Sequence, residues 1–426
     1  LSLYIKIREY FIINKIIRGL LIAISASIAI YLDYLFNIIN PFINTIFGLL
    51  TIYYILKSDS KVWFWSGFFI GVFWFWWISL SFKNYGFLWA MPIGILFTAL
   101  SYGVLFLIFA KISEIYKNRV YNLIIKTSAL LIFSYIHPFG FDWFKMELIF
   151  TNSYIGILKW QFLIVLFATS LAIYKENLLL LTLIVFAFPF NNYYNKTPLP
   201  NREIELTNFH ITVEDKWNLK LQKRHIDMAL NRIEEAIDKR EKIVVLPESI
   251  FALFLNRSPK LMTILEALSN EITIITGGLY LDRDNNPKNT AYIFQNGEFK
   301  IASKAVLVPF GEYNPLPDWL GKIVNRVFFD GAPDYTASLK ITKYIIDGVE
   351  YTNAICYEGT SEKIYRDSPK NIILISNNGW VVPSIEPTLQ KIILQYYSKK
   401  YGTTIYHSAN MSPSYIVHNG YIYGIE

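Results

Sequence analysis

Three short stretches of the chain each place a reactive side chain at the end of an apolar run. They are Leu246-Pro247-Glu248-Ser249, the run from Lys304 through Val308-Pro309-Phe310-Gly311 to Glu312 and Tyr313, and Asn353-Ala354-Ile355-Cys356-Tyr357-Glu358. Singly, each has an ordinary explanation: a loop glutamate, a surface lysine after a hairpin, and a small buried cysteine, which is what most unpaired cysteines are. Taken together, Glu248, Lys304 and Cys356 answer one chemical problem. A cysteine attacks an ester or amide as the thiolate, a carboxylate nearby takes its proton, and an ammonium nearby favours the anion. The same ammonium stabilises the oxyanion of a tetrahedral intermediate, with the backbone N–H of Tyr357 as a second donor. In this reading Glu248 is the base, Lys304 the electrostatic stabiliser and Cys356 the nucleophile.

The elements that position these residues are legible from pattern. Residues 204–212 read as a first strand, and residues 220–242 as a helix with Ile226, Leu230, Ile233 and Ile237 at helical spacing. The apolar run 243–246 stops at Pro247, so Glu248 and Ser249 fall in the loop beyond a strand's carboxyl end, a common address for functional residues in open α/β sheets. Runs 272–276 and 372–376 read as buried sheet interior. Asn296-Gly297, Asp347-Gly348 and Asn419-Gly420 each divide two short runs and mark hairpins. Helices alternate with strands while hairpins are frequent, so the sheets are expected to be mixed and the fold a layered α/β sandwich. Gly277-Gly278 reads as a turn at a strand end.

The first half of the 426-residue chain is of a different kind. Up to Tyr194 it is Ile, Leu, Phe, Tyr and Trp broken by short polar links, which divides the chain into a transmembrane helical domain, 1–195, and a water-soluble domain, 196–426. A span needs roughly 20 mainly apolar residues, and seven candidates run over 15–33, 37–56, 62–82, 87–110, 121–141, 155–174 and 177–194. No small-residue cleavage site follows the first, so a secretory signal is a poor reading. Lys6, Arg8, Lys15 and Arg18, then Lys57 and Lys61, then Lys111, Lys117 and Arg119 occupy alternate connections. By the positive-inside bias the N-terminus is cytoplasmic, and seven spans deliver the second half to the far side.

The formal net charge of +7 is therefore a topology signal and not a nucleic-acid footprint. Cys356 is the single cysteine, so no intrachain disulfide exists. His137, His210, His225, His407 and His418 lack the spacing of a metal site, and neither a metal nor another cofactor is expected.

With these residues in place, the second half resembles the nitrilase (carbon-nitrogen hydrolase) superfamily, whose members use a Glu-Lys-Cys triad on an αββα sandwich. The membrane half narrows the resemblance to the apolipoprotein N-acyltransferase family. Its Pro-Glu, its Lys followed eight residues later by Glu in Val-Pro-Phe-Gly-Glu, and its Cys-Tyr-Glu match Pro247-Glu248, Lys304 to Glu312, and Cys356-Tyr357-Glu358. A family tryptophan upstream of the base matches Trp217, and a Ser-Asn-Asp/Asn-x-Trp stretch matches Ser376 to Trp380. The resemblance implies that Glu312 holds Lys304, that Glu358 supports the turn at Cys356, and that Trp217 and Trp380 meet substrate. It also implies a phospholipid acyl donor, a diacylglyceryl apolipoprotein acceptor, a thioester on Cys356, and a site at the outer face of a bacterial inner membrane.

Departures from the family are local. Leu246 stands where Trp is common, and His407-Ser408-Ala409-Asn410-Met411-Ser412 stands where the family has an arginine and Asn-Gly. Members continue into a last membrane helix, and one anchor is expected to be missing here. Between Pro317 and Gly331, Trp319 and Phe328 lie on an apolar stripe with Lys322 and Arg326 off it. Such an amphipathic helix suits a lipid interface and makes Trp319 and Phe328 candidate lipid contacts; an insertion packed on its own domain fits the stripe equally well. Two other functions compete: a membrane-anchored amidase that passes its acyl group to water, and a non-catalytic scaffold or transporter with a decayed domain. Seven spans favour lipid substrates over the first, and the intact triad stands against the second.

Overall fold

The computed structural model describes residues 12–189, 203–317, 319, 321, 326 and 335–424. It forms two compact units, Leu1–Asn195 with Pro383–Ile392, and Lys196–Val382 with Ile393–Glu426.

In the first unit, helix ends fall where polar side chains can satisfy the free backbone groups. Asn37 closes the helix Ile13–Phe36 in a left-handed conformation, and the Asn40 side chain accepts the amides of Phe42 and Ile43 to open Pro41–Lys57. Asp59 caps Ser60–Phe75 through the amide of Val62 and pairs with Lys15. Without a hydrophobic drive between helices in lipid, close packing relies on small residues. A Cβ on Gly71 would meet the backbone of Thr98 and Ala99 on Met91–Ile115, so that crossing needs glycine. Large apolar side chains such as Leu21, Phe42, Leu96, Ile108, Phe167 and Leu179 are exposed, as a lipid-facing girdle requires.

Among the described residues, four helical segments are long and apolar enough to cross a bilayer: Ile13–Phe36, Ser60–Asn84, Leu88–Ile115 and Arg119–Gly140. The expectation of seven full spans is corrected on length. Pro41–Lys57 and Lys159–Lys175 have 17 residues each, or roughly 26 Å of helix against a hydrocarbon core of about 30 Å. Leu178–Ala187 is a 10-residue 3-10 helix. Ile38 and Ile39 precede the Asn40 cap and Ile155 and Ile157 precede the Leu158 cap, so the apolar runs of the sequence are longer than the helices.

The second unit holds two mixed sheets. The first is ordered β1 (Ile204–Leu206), β3 (Ile243–Val245), β5 (Thr273–Leu281), β6 (Pro287–Gln295) and β7 (Glu298–Ser303), with β4 (Phe251–Phe254) also paired to β5. The second is ordered β13 (Tyr421–Gly424), β12 (Tyr415–His418), β11 (Thr404–Asn410), β10 (Asn371–Asn377), β9 (Val349–Ile355) and β8 (Lys343–Ile346), and β2 (Asn208–Phe209) pairs with β11. In each, a parallel core is flanked by hairpins: β1, β3 and β5 run parallel, as do β9, β10 and β11. The hairpins turn at Asn296-Gly297, Asp347-Gly348 and Asn419-Gly420, where both residues of each pair have positive φ. That geometry is what Asn-Gly and Asp-Gly tolerate.

The sheets face each other through Leu206, Val245, Ile275 and Ile293 from one and Tyr351, Ile355, Ile373 and Tyr406 from the other. The outer face of the first sheet is covered by Gln222–Asp238 and Pro259–Leu268 through Ala229, Ile233, Leu261 and Leu265. Beyond the second sheet Tyr365 stacks on Tyr397 of Glu386–Tyr401, with ring centroids 4.3 Å apart. The layers are helix, sheet, sheet, helix. One expected element divides: the strand read over 204–212 is two strands in different sheets, because at Thr207 the chain leaves β1, with its amide and hydroxyl both donating to the Val245 carbonyl.

Candidate active site

Glu248 stands three residues past β3, buried, with the next residue, Ser249, at φ +50°. The loop lies so close to β5 that a Cβ on Gly277 would collide with the amide of Ser249 and the Cα of Glu248. Gly277 and Gly278 are therefore strand interior and not the turn expected from sequence. Glycine there marks a close approach of two backbones.

Lys304 follows β7 directly, and its amide donates to the Asn289 carbonyl at 2.9 Å. Its ammonium is 1% exposed and lies 2.9 Å and 2.8 Å from the two carboxylate oxygens of Glu312. The loop between them curls so that the Val308 amide also donates to Glu312, at 2.9 Å. Asn289, on β6, joins this pair to Glu248: its side-chain amide nitrogen donates to Glu248 Oε1 at 2.7 Å and to Glu312 Oε1 at 3.1 Å.

Cys356 directly follows β9 with φ +53°, a left-handed conformation that turns the chain into the 3-10 segment Cys356–Thr360. Glu358 binds that turn to the lysine loop. Its carboxylate accepts the Ile355 amide at 2.8 Å, the Ala305 amide at 2.6 Å and the Val306 amide at 2.9 Å. Tyr357 is buried beside it.

Electrostatics follow from this packing. Burial pushes the Glu248 carboxyl up, with Lys304 opposing and Glu312 reinforcing the rise. A carboxyl raised in this way is a better proton acceptor. Burial alone would lower the Lys304 ammonium, but Glu312, Glu248 and Cys356 outweigh it and hold its pKa above the ordinary lysine value. Lys304 is thus favoured as a cation, and both Glu248 and Cys356 act on its charge. Such a set can deprotonate a thiol, hold the thiolate and neutralise an oxyanion.

The remaining sequence candidates lie further out. Trp217 follows the short helix Val213–Lys216 and is exposed, Trp380 is half-buried at the end of Asn378–Trp380, and Trp319 is 68% exposed. Phe328 lies outside the described residues. The departing segment after Tyr406 is structural: Asn410 both accepts the Ile211 amide, at 2.9 Å, and donates to its carbonyl, at 2.7 Å. Among the described residues no group of three or more His, Cys, Asp or Glu is placed to hold a metal ion.

Residues 13–192 match the family model described as the apolipoprotein N-acyltransferase integral membrane domain. The apolipoprotein N-acyltransferase of Wolinella succinogenes is 38% identical over 93% of this chain and 94% of its own length. The chain belongs to the apolipoprotein N-acyltransferase family. It is an acyltransferase with an integral membrane domain. The apolipoprotein N-acyltransferase of Campylobacter jejuni is 33% identical over 97% of this chain and 91% of its own. A carbon-nitrogen hydrolase structure from Helicobacter pylori aligns with 51% of this chain and 82% of its own at 13% identity, with a TM-score of 0.39.

Within this acyltransferase, two residues of the site escaped sequence reasoning. Asn289 sits in an ordinary hairpin strand, and only the fold brings it to two carboxylates. Lys216 is buried and donates to the Glu248 carbonyl at 3.1 Å. Its one sequence signal is its place beside Trp217.

Proposed function

We propose that Cys356 carries an acyl chain from a phospholipid to the N-terminal amine of a diacylglyceryl-cysteine apolipoprotein. Glu248 takes the thiol proton, and the thiolate attacks the carbonyl carbon of the phospholipid ester. Lys304 and the backbone N–H of Tyr357 hold the oxyanion. The intermediate collapses to a thioester as the lysophospholipid alkoxide leaves with the proton from Glu248. The free α-amine then attacks the thioester, Glu248 receives its proton, an amide forms and the thiol is restored. Glu312 keeps Lys304 in place, Glu358 supports the turn, and Trp217, Trp380, Trp319 and Phe328 meet the lipid substrates.

The observation that carries this reading is the Lys304 ammonium, held by Glu312 at 2.8 Å while it shares its field with Glu248 and Cys356. The cation-rich alternate loops support a catalytic half on the periplasmic side of the inner membrane. The test is to incubate the purified full chain with acyl-labelled phospholipid and a diacylated lipopeptide bearing a free amine. Label is expected on the peptide amine. Release of label only as free fatty acid would make the protein a hydrolase instead.

A further inference from the structure

Lys216 closes the helix Val213–Lys216 with 3% of its surface exposed. Its ammonium donates to the Glu248 backbone carbonyl at 3.1 Å, and among the described residues it forms no ion pair with a carboxylate. Burying an ammonium without an ion-pair partner is costly. A neutral donor of similar length, such as glutamine, would satisfy the carbonyl without that cost, so the charge itself calls for a purpose.

The groups facing Lys216 supply one. From the loop after β3 comes the Glu248 carboxylate, and from the turn after β9 the Cys356 sulfur; both act on its charge. Glu214 and Asp215 of its own helix are exposed. His225, on Gln222–Asp238, feels Lys216, Asp215 and Arg224. Behind Glu248 stand Lys304 and Glu312, and Lys304 also acts on Glu358. The site thus holds three carboxyl groups, the buried Glu248 and Glu358 and the partly buried Glu312, against two ammonium groups, and Lys304 is already committed to Glu312. Without Lys216, a thiolate at Cys356 would form in a more negative surrounding.

We propose that Lys216 is a positioning residue of the acyl-transfer reaction: it fixes the Glu248 loop through the Glu248 carbonyl and, as a second cation beside Lys304, holds the Cys356 sulfur as thiolate. This rests on Cys356 being the nucleophile. Burial lowers Lys216 itself to about 8, against the pull of Glu248 and Cys356. Its support is accordingly present below about pH 8 and fades above.

Alkylation by iodoacetamide tests the proposal on the full chain in detergent, because Cys356 is the one thiol and the rate reports its thiolate fraction. Lys216→Met is expected to raise the pH midpoint of alkylation by about one unit, the lower end of the effect of a nearby opposite charge. Lys216→Gln, which keeps a donor for the carbonyl, is expected to show the same rise, and Lys216→Arg to hold the wild-type midpoint. If the methionine variant melts, the glutamine variant decides. A folded Gln or Met variant with the wild-type midpoint would overturn the proposal and leave Lys216 as packing. Phospholipid plays no part in the measurement, so the absence of an acyl adduct on Cys356 in turnover is a separate result that sinks the mechanism and not the electrostatic claim.

Discussion

The carboxylate of Glu358, two residues beyond the cysteine, accepts the backbone amide of Ala305, one residue beyond the lysine, at 2.6 Å. One side chain thereby fixes the distance between the turn of one sheet and the loop of the other. Glu358 is completely enclosed, and burial pushes its pKa from 4.5 to about 7, with Lys304 and three backbone amides pulling it back. Because the folded value exceeds the unfolded one, its contribution to stability is full below about pH 4.5 and is lost as pH rises through about 7. Glu358→Gln sets an amide against three N–H donors and is expected to destabilise by about 1–3 kcal/mol at pH 5. The gap to wild type is expected to narrow by pH 8. Thermal melts at the two pH values check this, and a gap that does not change with pH refutes the assignment.

With phospholipid and no amine acceptor, a thioester is expected to accumulate on Cys356. Intact-protein mass spectrometry should show an added acyl mass that neutral hydroxylamine removes. Cys356→Ala is expected to abolish the adduct, and Glu248→Gln to slow its formation by about a hundredfold or more, the usual effect of losing a general base. Full transfer activity in Cys356→Ala would rule the mechanism out, since the chain has no second thiol.

Gly277→Ala should cost activity without touching any group that does chemistry. Its methyl collides with Ser249 N and Glu248 Cα and displaces the loop that carries the base. A loss of about 1–3 kcal/mol in stability is expected from overpacking, together with at least a tenfold fall in the rate of Cys356 acylation, read by stopped assays and a melt. Normal acylation in a folded variant would show that the position of the loop is uncritical.

Topology yields to a reporter that is active only outside the cytoplasm, fused after residue 205. Activity is expected there. Silence, with signal from a cytoplasmic reporter at the same site, reverses the orientation and removes the lipoprotein amine from reach.

Much of the site was legible because each reactive residue lies just past the end of a short strand. Pro247 stops β3 before Glu248, β7 ends one residue before Lys304, and β9 ends one residue before Cys356. The hairpins were legible for a local reason, the left-handed conformations that Asn-Gly and Asp-Gly accept. What escaped depends on distant partners. Asn289 reaches Glu248 across 41 residues and Lys216 reaches it across 32, so neither carries a local signature. Gly277 looked like a turn because close approach of a second backbone leaves the same residue type as a reversal. Helix length misled for the opposite reason: the apolar runs begin before the caps at Asn40 and Leu158, where the helices start.

The bond between Ile211 and Asn410 joins residues 199 apart in the chain. During synthesis the segment with Lys216 and Trp217 emerges well before its anchor, Asn410. Contacts of such long sequence separation form late in folding. Nascent chains stalled before residue 410 should therefore remain protease-sensitive around 209–217, and protection there in a stalled chain would contradict the point. A chain stalled short of residue 410 thus already carries Glu248, Lys304 and Cys356 but lacks the bond that fixes the segment of Lys216.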